Sequence, residues 1–166
     1  MTSNTLLALP EKLRAIETRY DGQDFRSRQE ARFAVLLNAL SVPYIFEKEG
    51  YYLGLGNDEK YLPDFWIEEA QAWVEIKGRS PTAEEFSKST KLALIAKRPV
   101  TIFWGPYRHQ SFIYNNFVFY QDLQGVFHSQ RGRAQEFLGC QFYLHSSLLA
   151  ALTKARQARF EHGESG

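Results

Sequence analysis

Cysteine is nearly missing from this chain of 166 residues, in which Cys140 is the single example. One cysteine excludes a disulfide within the chain and any zinc site built from several cysteines. We expect Cys140, in an apolar run, to be a buried and inert thiol. The histidines lack metal-ligand spacing and are interpreted as structural or exposed: His109, His128, His145 and His162.

Long hydrophobic runs are missing too. No segment approaches the roughly eighteen consecutive apolar residues that a membrane-spanning helix needs, and the N-terminal segment has neither the charged start nor the apolar core of a signal peptide. The sequence contains no repeat, no low-complexity tract and no Pro- or Gly-rich linker. We therefore expect one intracellular domain over residues 1–166, without contact to a membrane.

Charge is nearly balanced, with a formal net charge of +1, but it is distributed unevenly. The part up to Gly78 contains more acidic than basic residues, whereas 79–160 contains more basic than acidic residues. Acidic residues around a metal ion, with cations elsewhere, would suit an enzyme that acts on a polyanion. Ordinary surface solvation explains the asymmetry equally well, so it decides nothing alone.

Four segments have the apolar spacing and the terminal signals of helices. Residues 10–19 begin with a proline in the first turn. The signal from Ser27 to Leu40 is stronger, because Ser27 and Glu30 form the S-x-x-E capping pattern. The other two helices are expected over 81–97 and about 146–160.

Extended segments rich in aromatic and branched residues lie between these helices. We expect three antiparallel strands near 44–53, 61–67 and 72–77, a buried strand at 100–104, and a hairpin at 117–121 and 125–129. The predicted fold class is α/β, with a mixed central sheet flanked by helices. Its core, about 26–104, has the order helix, three strands, helix, strand, and 105–166 form a C-terminal extension with a hairpin and a helix.

The stretch 61–78 contains the residues with the most evident chemistry. Side chains alternate along a strand, so Glu75 and Lys77 project from one face. Asp64 lies on the preceding strand, and a hairpin brings its carboxylate towards Glu75. Two carboxylates at one place repel unless a cation lies between them, and oxygen-rich sites of this kind suit Mg²⁺. Lys77 can donate to a nucleophile or a phosphate while it offsets the negative charge.

This arrangement resembles the PD-(D/E)xK nuclease superfamily, which includes restriction endonucleases, Holliday junction resolvases, transposon end-cleaving subunits and small phage enzymes. The motif is Pro63-Asp64 followed by Glu75-Ile76-Lys77, in the superfamily's order. The resemblance implies a restriction endonuclease-like αβββαβ core. It also implies that Asp64, Glu75 and the Ile76 carbonyl bind Mg²⁺, or Mn²⁺ as a substitute, and that Lys77 assists the attack on a phosphodiester bond.

Glu30 resembles the glutamate of the superfamily's first helix, which implies a catalytic and metal-binding role. Its position three residues after Ser27 also fits a capping role without a metal, so both interpretations stay open. Nearby basic residues are candidates for DNA contact, although solvated helix faces explain them equally well: Arg26, Arg28, Arg32, Lys88 and Lys91. Weaker candidates for the same contact lie beyond Trp104: Arg131, Arg133, Lys154, Arg156 and Arg159.

We expect the protein to hydrolyse DNA in a reaction that depends on Mg²⁺, as an endonuclease. We expect it in the cytoplasm, encoded by a prokaryote or by a phage. One alternative is an inactive nuclease fold that serves as a DNA-binding or assembly module. Others are a nuclease subunit of a recombination or transposition complex and an enzyme that acts on RNA. A plainer interpretation of Asp64, Glu75 and Lys77 is an exposed hairpin held by salt bridges. Two roles stay open for the region after Trp104, a homodimer interface and a clamp on DNA.

Overall fold

Helices flank a central mixed sheet in this structure, a computed structural model that describes residues 15–54, 59–139 and 145–160, with only the backbone of His145. In chain order, the strands of the described part are β1 (Thr18–Tyr20), β2 (Gln23–Phe25), β3 (Ile45–Phe46), β4 (Tyr51–Tyr52), β5 (Lys60–Tyr61), β6 (Phe65–Ile67), β7 (Ala72–Lys77), β8 (Val100–Trp104), β9 (Asn116–Gln121) and β10 (Phe127–Arg131). The helices are α1 (Arg28–Ala39), α2 (Ala83–Ala96), α3 (His109–Tyr114), α4 (Gln135–Leu138) and α5 (His145–Gln157).

The central sheet has six strands in the order β10-β9-β8-β7-β6-β3. β7 pairs antiparallel with β6 and parallel with β8, so the sheet is mixed. Helix α2 forms the crossover that two parallel neighbours require. β9 and β10, from the predicted extension, add an antiparallel hairpin beside β8. The predicted mixed α/β architecture, with a sheet flanked by helices, is therefore confirmed.

Alternation along β7 directs its apolar side chains into two separate cores. Val74 and Ile76 belong to the cluster that contains the buried residues of α1 and α5. Trp73 lies on the other face, where it packs with Trp66 and with Leu92 of α2. Burying each large apolar side chain stabilises the fold by about 1.5–3 kcal/mol. The two cores hold β7 from both sides and fix the direction of its remaining side chains.

Both main helices begin at side-chain caps, and the cap of α1 is the predicted Ser27. Ser27 Oγ accepts a hydrogen bond from the Glu30 backbone N–H at the start of α1. Thr82 and Glu85 form a reciprocal capping box at the start of α2, which ends at Lys97 in the left-handed conformation. Such capping satisfies backbone groups that the helix itself leaves unpaired. The predictions of these helices and of the last helix, α5, are confirmed.

The predictions for three segments are wrong in the described part. Residues 10–14 of the first expected helix lie outside the described residues, but Thr18–Tyr20 form a strand. Asp21 and Gly22 have φ of 49° and 78°, as a tight two-residue hairpin turn requires. The strand expected over 44–53 is split, because β3 pairs with β6 whereas β4 pairs with β5 in a separate ribbon. The second expected strand, 61–67, is divided in the same way, since its first residue belongs to β5 and its last three form β6.

Two further observations concern expectations from composition. Cys140, expected to be a buried thiol, lies outside the described residues. Within those residues, no helix has the length and apolar character needed to cross a membrane.

Candidate active site

The hairpin of β6 and β7 brings two of the predicted acidic residues together. Asp64 directly precedes β6 and Glu75 lies within β7, and only 2% and 4% of these residues are exposed. Asp64 Oδ2 accepts a hydrogen bond of 2.7 Å from the Ile76 backbone N–H. Glu75 Oε2 lies 3.3 Å from the Asp64 backbone N–H, which donates to it. Each carboxylate is therefore held by the backbone of the other strand, and an exposed salt-bridged hairpin does not describe this pair.

Asp64 lies in a region of excess negative charge. Burial is the main cause that raises the pKa of Asp64 well above its usual value, and the charges of Glu75 and Glu30 raise it further. The hydrogen bond from Ile76 and the charge of Lys77 oppose this shift. A divalent cation bound by Asp64 would oppose this rise in pKa, because it would favour the ionised carboxylate.

Lys77 connects the carboxylate pair to helix α2. Its Nζ donates a 2.7 Å hydrogen bond to Glu75 Oε1 and lies 3.9 Å from Glu85 Oε1, and 24% of its side chain is exposed. Burial opposes the charged form, but the attraction of Glu75 and Asp64 holds the pKa of Lys77 above its usual value. The ammonium is therefore charged near neutral pH. Lys77 is partly buried and its partner Glu75 almost completely, so this edge of the motif is largely shielded from solvent.

Glu30 makes the contacts of a capping residue and lies near the carboxylate pair. Its Oε1 accepts from Ser27 Oγ and its Oε2 accepts from the Arg26 backbone N–H, both at 2.9 Å, so it caps the start of α1. Only 6% of Glu30 is exposed. Burial raises the pKa of Glu30, and the charge of Glu75 adds to the rise although Ser27 and Arg26 oppose it. Glu30 therefore lies within electrostatic reach of the carboxylate pair.

Arg26, predicted to contact DNA, is bound to the acidic cluster. One of its terminal nitrogens lies 2.6 Å from Asp64 Oδ1, and its Nε lies 2.7 Å from Glu47 Oε1. Half of the Arg26 side chain remains exposed, 53%. The guanidinium thus neutralises part of the buried charge at a position open to solvent.

The other predicted DNA contacts occupy different places. Lys88 pairs with Glu84 and Lys91 with Glu59, both at 2.7 Å, so neither is paired with the central carboxylates. Arg28 and Arg32 lie in the first two turns of α1, where both side chains are partly buried. The structure therefore brings Asp64, Glu75, Ile76, Lys77, Glu30 and Arg26 together and leaves Lys88 and Lys91 in separate ion pairs on α2.

Two tyrosines near the cluster were missed by the sequence reasoning. Burial raises the pKa of Tyr61, and the charge of Glu75 and a hydrogen bond to it add to the rise. The Tyr107 hydroxyl donates a 2.5 Å hydrogen bond to the Gln29 carbonyl, next to Glu30. No signal distinguished either residue, because aromatic residues in strands and loops usually indicate core packing.

The donor set limits the kind of metal ion that could bind. Within residues 15–54, 59–139 and 145–160, no group of three or more His, Cys, Asp or Glu side chains is arranged to hold a metal ion. Two adjoining buried carboxylates remain, and Mg²⁺ commonly takes one or two carboxylates and keeps several waters. The residues thus fit a magnesium-type ion better than a zinc-type ion.

Comparison with known proteins adds no relative: no family model, no curated protein and no solved structure matches the chain. A functional assignment therefore depends on the residues and contacts of the cluster itself.

Proposed function

We propose that the protein is a metal-dependent DNA nuclease of the PD-(D/E)xK type. The observation that carries this proposal is the interlocked pair of buried carboxylates, Asp64 and Glu75, beside the charged Lys77. The chain order α1, β3, β6, β7, α2, β8 agrees with an αβββαβ core. That order supports a restriction endonuclease-like fold in which Asp64 and Glu75 occupy the positions of the superfamily's motif.

In this proposal Asp64, Glu75 and the Ile76 carbonyl hold Mg²⁺ or Mn²⁺. When bound, such an ion lowers the pKa of a coordinated water and offsets charge on a phosphorane-like transition state. Lys77 donates a hydrogen bond to the attacking oxygen or to the scissile phosphate. Glu30 keeps the start of α1 in place and adds negative charge next to the pair.

The burial of the cluster favours an active enzyme over an inactive nuclease fold. Removing carboxylates from water costs several kcal/mol each unless their partners compensate completely. The raised pKa of Asp64, caused mainly by burial, indicates incomplete compensation. Unfavourable charge of this kind is typical of functional sites.

A panel of substrates tests the proposal. The purified protein would be incubated with supercoiled, linear, single-stranded and four-way-junction DNA and with RNA, with Mg²⁺ and with a chelator. We expect Mg²⁺-dependent cleavage of at least one DNA substrate, and loss of that cleavage in Asp64→Asn. DNA binding without any cleavage would instead support the DNA-binding or assembly module, and cleavage of RNA alone would redirect the substrate class.

A further inference from the structure

A basic cavity of about 300 Å³ lies beside the acidic cluster. Its lining includes Arg32 of α1, Arg156 of α5, Gly78 after β7 and Gly105 after β8. No carboxylate lines it, and neither arginine forms an ion pair with a carboxylate of the described residues. The cavity therefore concentrates positive charge from two helices that are far apart in the sequence.

Two polar atoms at the cavity have unmet hydrogen-bonding capacity. Arg32 Nε and Gln29 Oε1 are buried, and no atom of the described residues is their hydrogen-bond partner. Leaving a buried donor of a charged group unpaired is unfavourable, because the group loses its hydration without a replacement. An acceptor supplied from outside the chain would remove this cost at Arg32.

The cavity wall is open at Gly78. A Cβ at Gly78 would meet no atom within 4 Å, whereas a Cβ at Gly105 would lie 3.3 Å from Asn115 Nδ2. A ligand can therefore approach the backbone at Gly78 without obstruction. A guanidinium presents its donors in a fork that matches phosphate oxygens, and two guanidinium groups without carboxylate partners favour a dianion or a phosphodiester.

Two residues that line the cavity are direct sequence neighbours of residues in the acidic cluster. Gly78 directly follows Lys77, and Gln29 directly precedes Glu30. The Tyr107 hydroxyl, which also lines the cavity, donates to the Gln29 carbonyl at 2.5 Å. A nucleic-acid strand whose scissile phosphate lies at Asp64 and Glu75 would thus place a neighbouring phosphate near the two arginines.

We propose that this cavity is a phosphate-binding site for the DNA strand, formed by Arg32 and Arg156 next to the proposed catalytic cluster. The inference rests on the proposed nuclease function for its substrate class. The phosphate is either an internal phosphodiester or the monoester at a strand end, and both offer the same oxygens to the two guanidinium groups.

Binding measurements without hydrolysis test the site. Fluorescence anisotropy would follow labelled DNA duplexes over a range of salt concentrations, in Ca²⁺, with Arg32→Gln and Arg156→Gln. Losing one charge-assisted contact should weaken binding about ten-fold to hundred-fold and reduce the slope of log affinity against log salt by about 0.9. Arg98→Gln is the matched control, since it makes the same chemical change at an exposed position outside the cavity.

Two arms distinguish the sources of the phosphate. Duplexes of identical sequence would carry a 5′-phosphate or a 5′-hydroxyl. Tighter binding of the phosphorylated end, lost in Arg156→Gln, would identify a terminal monoester. Equal binding of both ends, weakened equally by Arg156→Gln, would identify an internal phosphodiester.

The proposal is overturned when Arg32→Gln and Arg156→Gln, folded as judged by thermal melting, bind DNA like the wild type or no more weakly than Arg98→Gln. Arg156 is exposed, so its variant tests the site even where Arg32→Gln impairs folding. Failure of the nuclease proposal would appear separately, as wild-type protein that binds phosphate through these arginines but cleaves no DNA in Mg²⁺.

Discussion

Replacing Lys77 with Met removes an ammonium but keeps most of the aliphatic side chain, so it isolates the charge at the centre of the cluster. The lost hydrogen bond to Glu75 is charge-assisted, and such bonds contribute about 1.5–3 kcal/mol. Because 24% of the Lys77 side chain is exposed, solvent screens part of this contribution. We expect a loss of about 1–2 kcal/mol, which for a chain of this size lowers Tm by about 2–8 °C.

Lys88→Met is the matched control for stability. The Lys88–Glu84 pair has the same 2.7 Å length, but 75% of the Glu84 side chain is exposed. An exposed pair at this helical spacing contributes only about 0.3–0.5 kcal/mol. The difference between the two variants therefore measures what burial adds to an ion pair of the same length.

The effect of Lys77→Met on cleavage should exceed its effect on stability. Losing one donor that acts in the transition state typically slows the chemical step about a hundred-fold to a thousand-fold. The assay is single-turnover cleavage at saturating DNA, beside thermal melting in a chelator and in Ca²⁺. Ca²⁺ should recover part of the lost Tm, because a divalent ion at the carboxylates replaces the missing charge. Cleavage at the wild-type rate by folded Lys77→Met would remove Lys77 from the mechanism, and unchanged melting would refute the contribution assigned to its buried bond.

Three further changes follow from the same contacts. In a chelator, Asp64→Asn should melt above the wild type at pH 7. Relative to that variant, the wild type should lose stability as pH rises from about 4 through the raised pKa of Asp64. A pH series of melts that shows the opposite trend would contradict the buried charge. Glu30→Gln should lower the melting temperature by only the few degrees expected for loss of about 1 kcal/mol of capping, but it should slow cleavage. An unchanged single-turnover rate would leave Glu30 with the capping role alone. Arg26→Gln should bind Mn²⁺ more tightly in titration calorimetry, since Arg26 no longer competes for Asp64 Oδ1, and weaker Mn²⁺ binding would show that Arg26 supports the site instead.

The motif hairpin could be predicted because local rules determine it. Alternation along β7 separates Trp73 and Glu75 from Val74 and Ile76, and both apolar and charged residues follow this rule in the structure. The start of α1 follows from Ser27 and Glu30, which satisfy backbone donors within one turn. Neither prediction required knowledge of distant contacts.

The remaining features depend on conformations or contacts that no short pattern specifies. Glu47 has a φ of 49° and marks the break between β3 and β4, although glycine is the usual residue in this region. Arg26 reaches Asp64 across 38 positions, and the Arg32–Arg156 cavity requires the packing of α1 against α5. Such long-range juxtapositions are set by tertiary packing, so the sequence indicated basic residues without indicating which of them meet.

The most direct test of the central claim is nicking of a supercoiled plasmid by three proteins in Mg²⁺, in Ca²⁺ and in a chelator. The proteins are the wild type, Glu75→Gln, and the control Glu17→Gln, which makes the same chemical change at an exposed position. We predict nicking by the wild type and by Glu17→Gln in Mg²⁺ only, and none by Glu75→Gln. Equal nicking by Glu75→Gln, or equal nicking in a chelator, would contradict a metal-dependent nuclease built on Asp64 and Glu75.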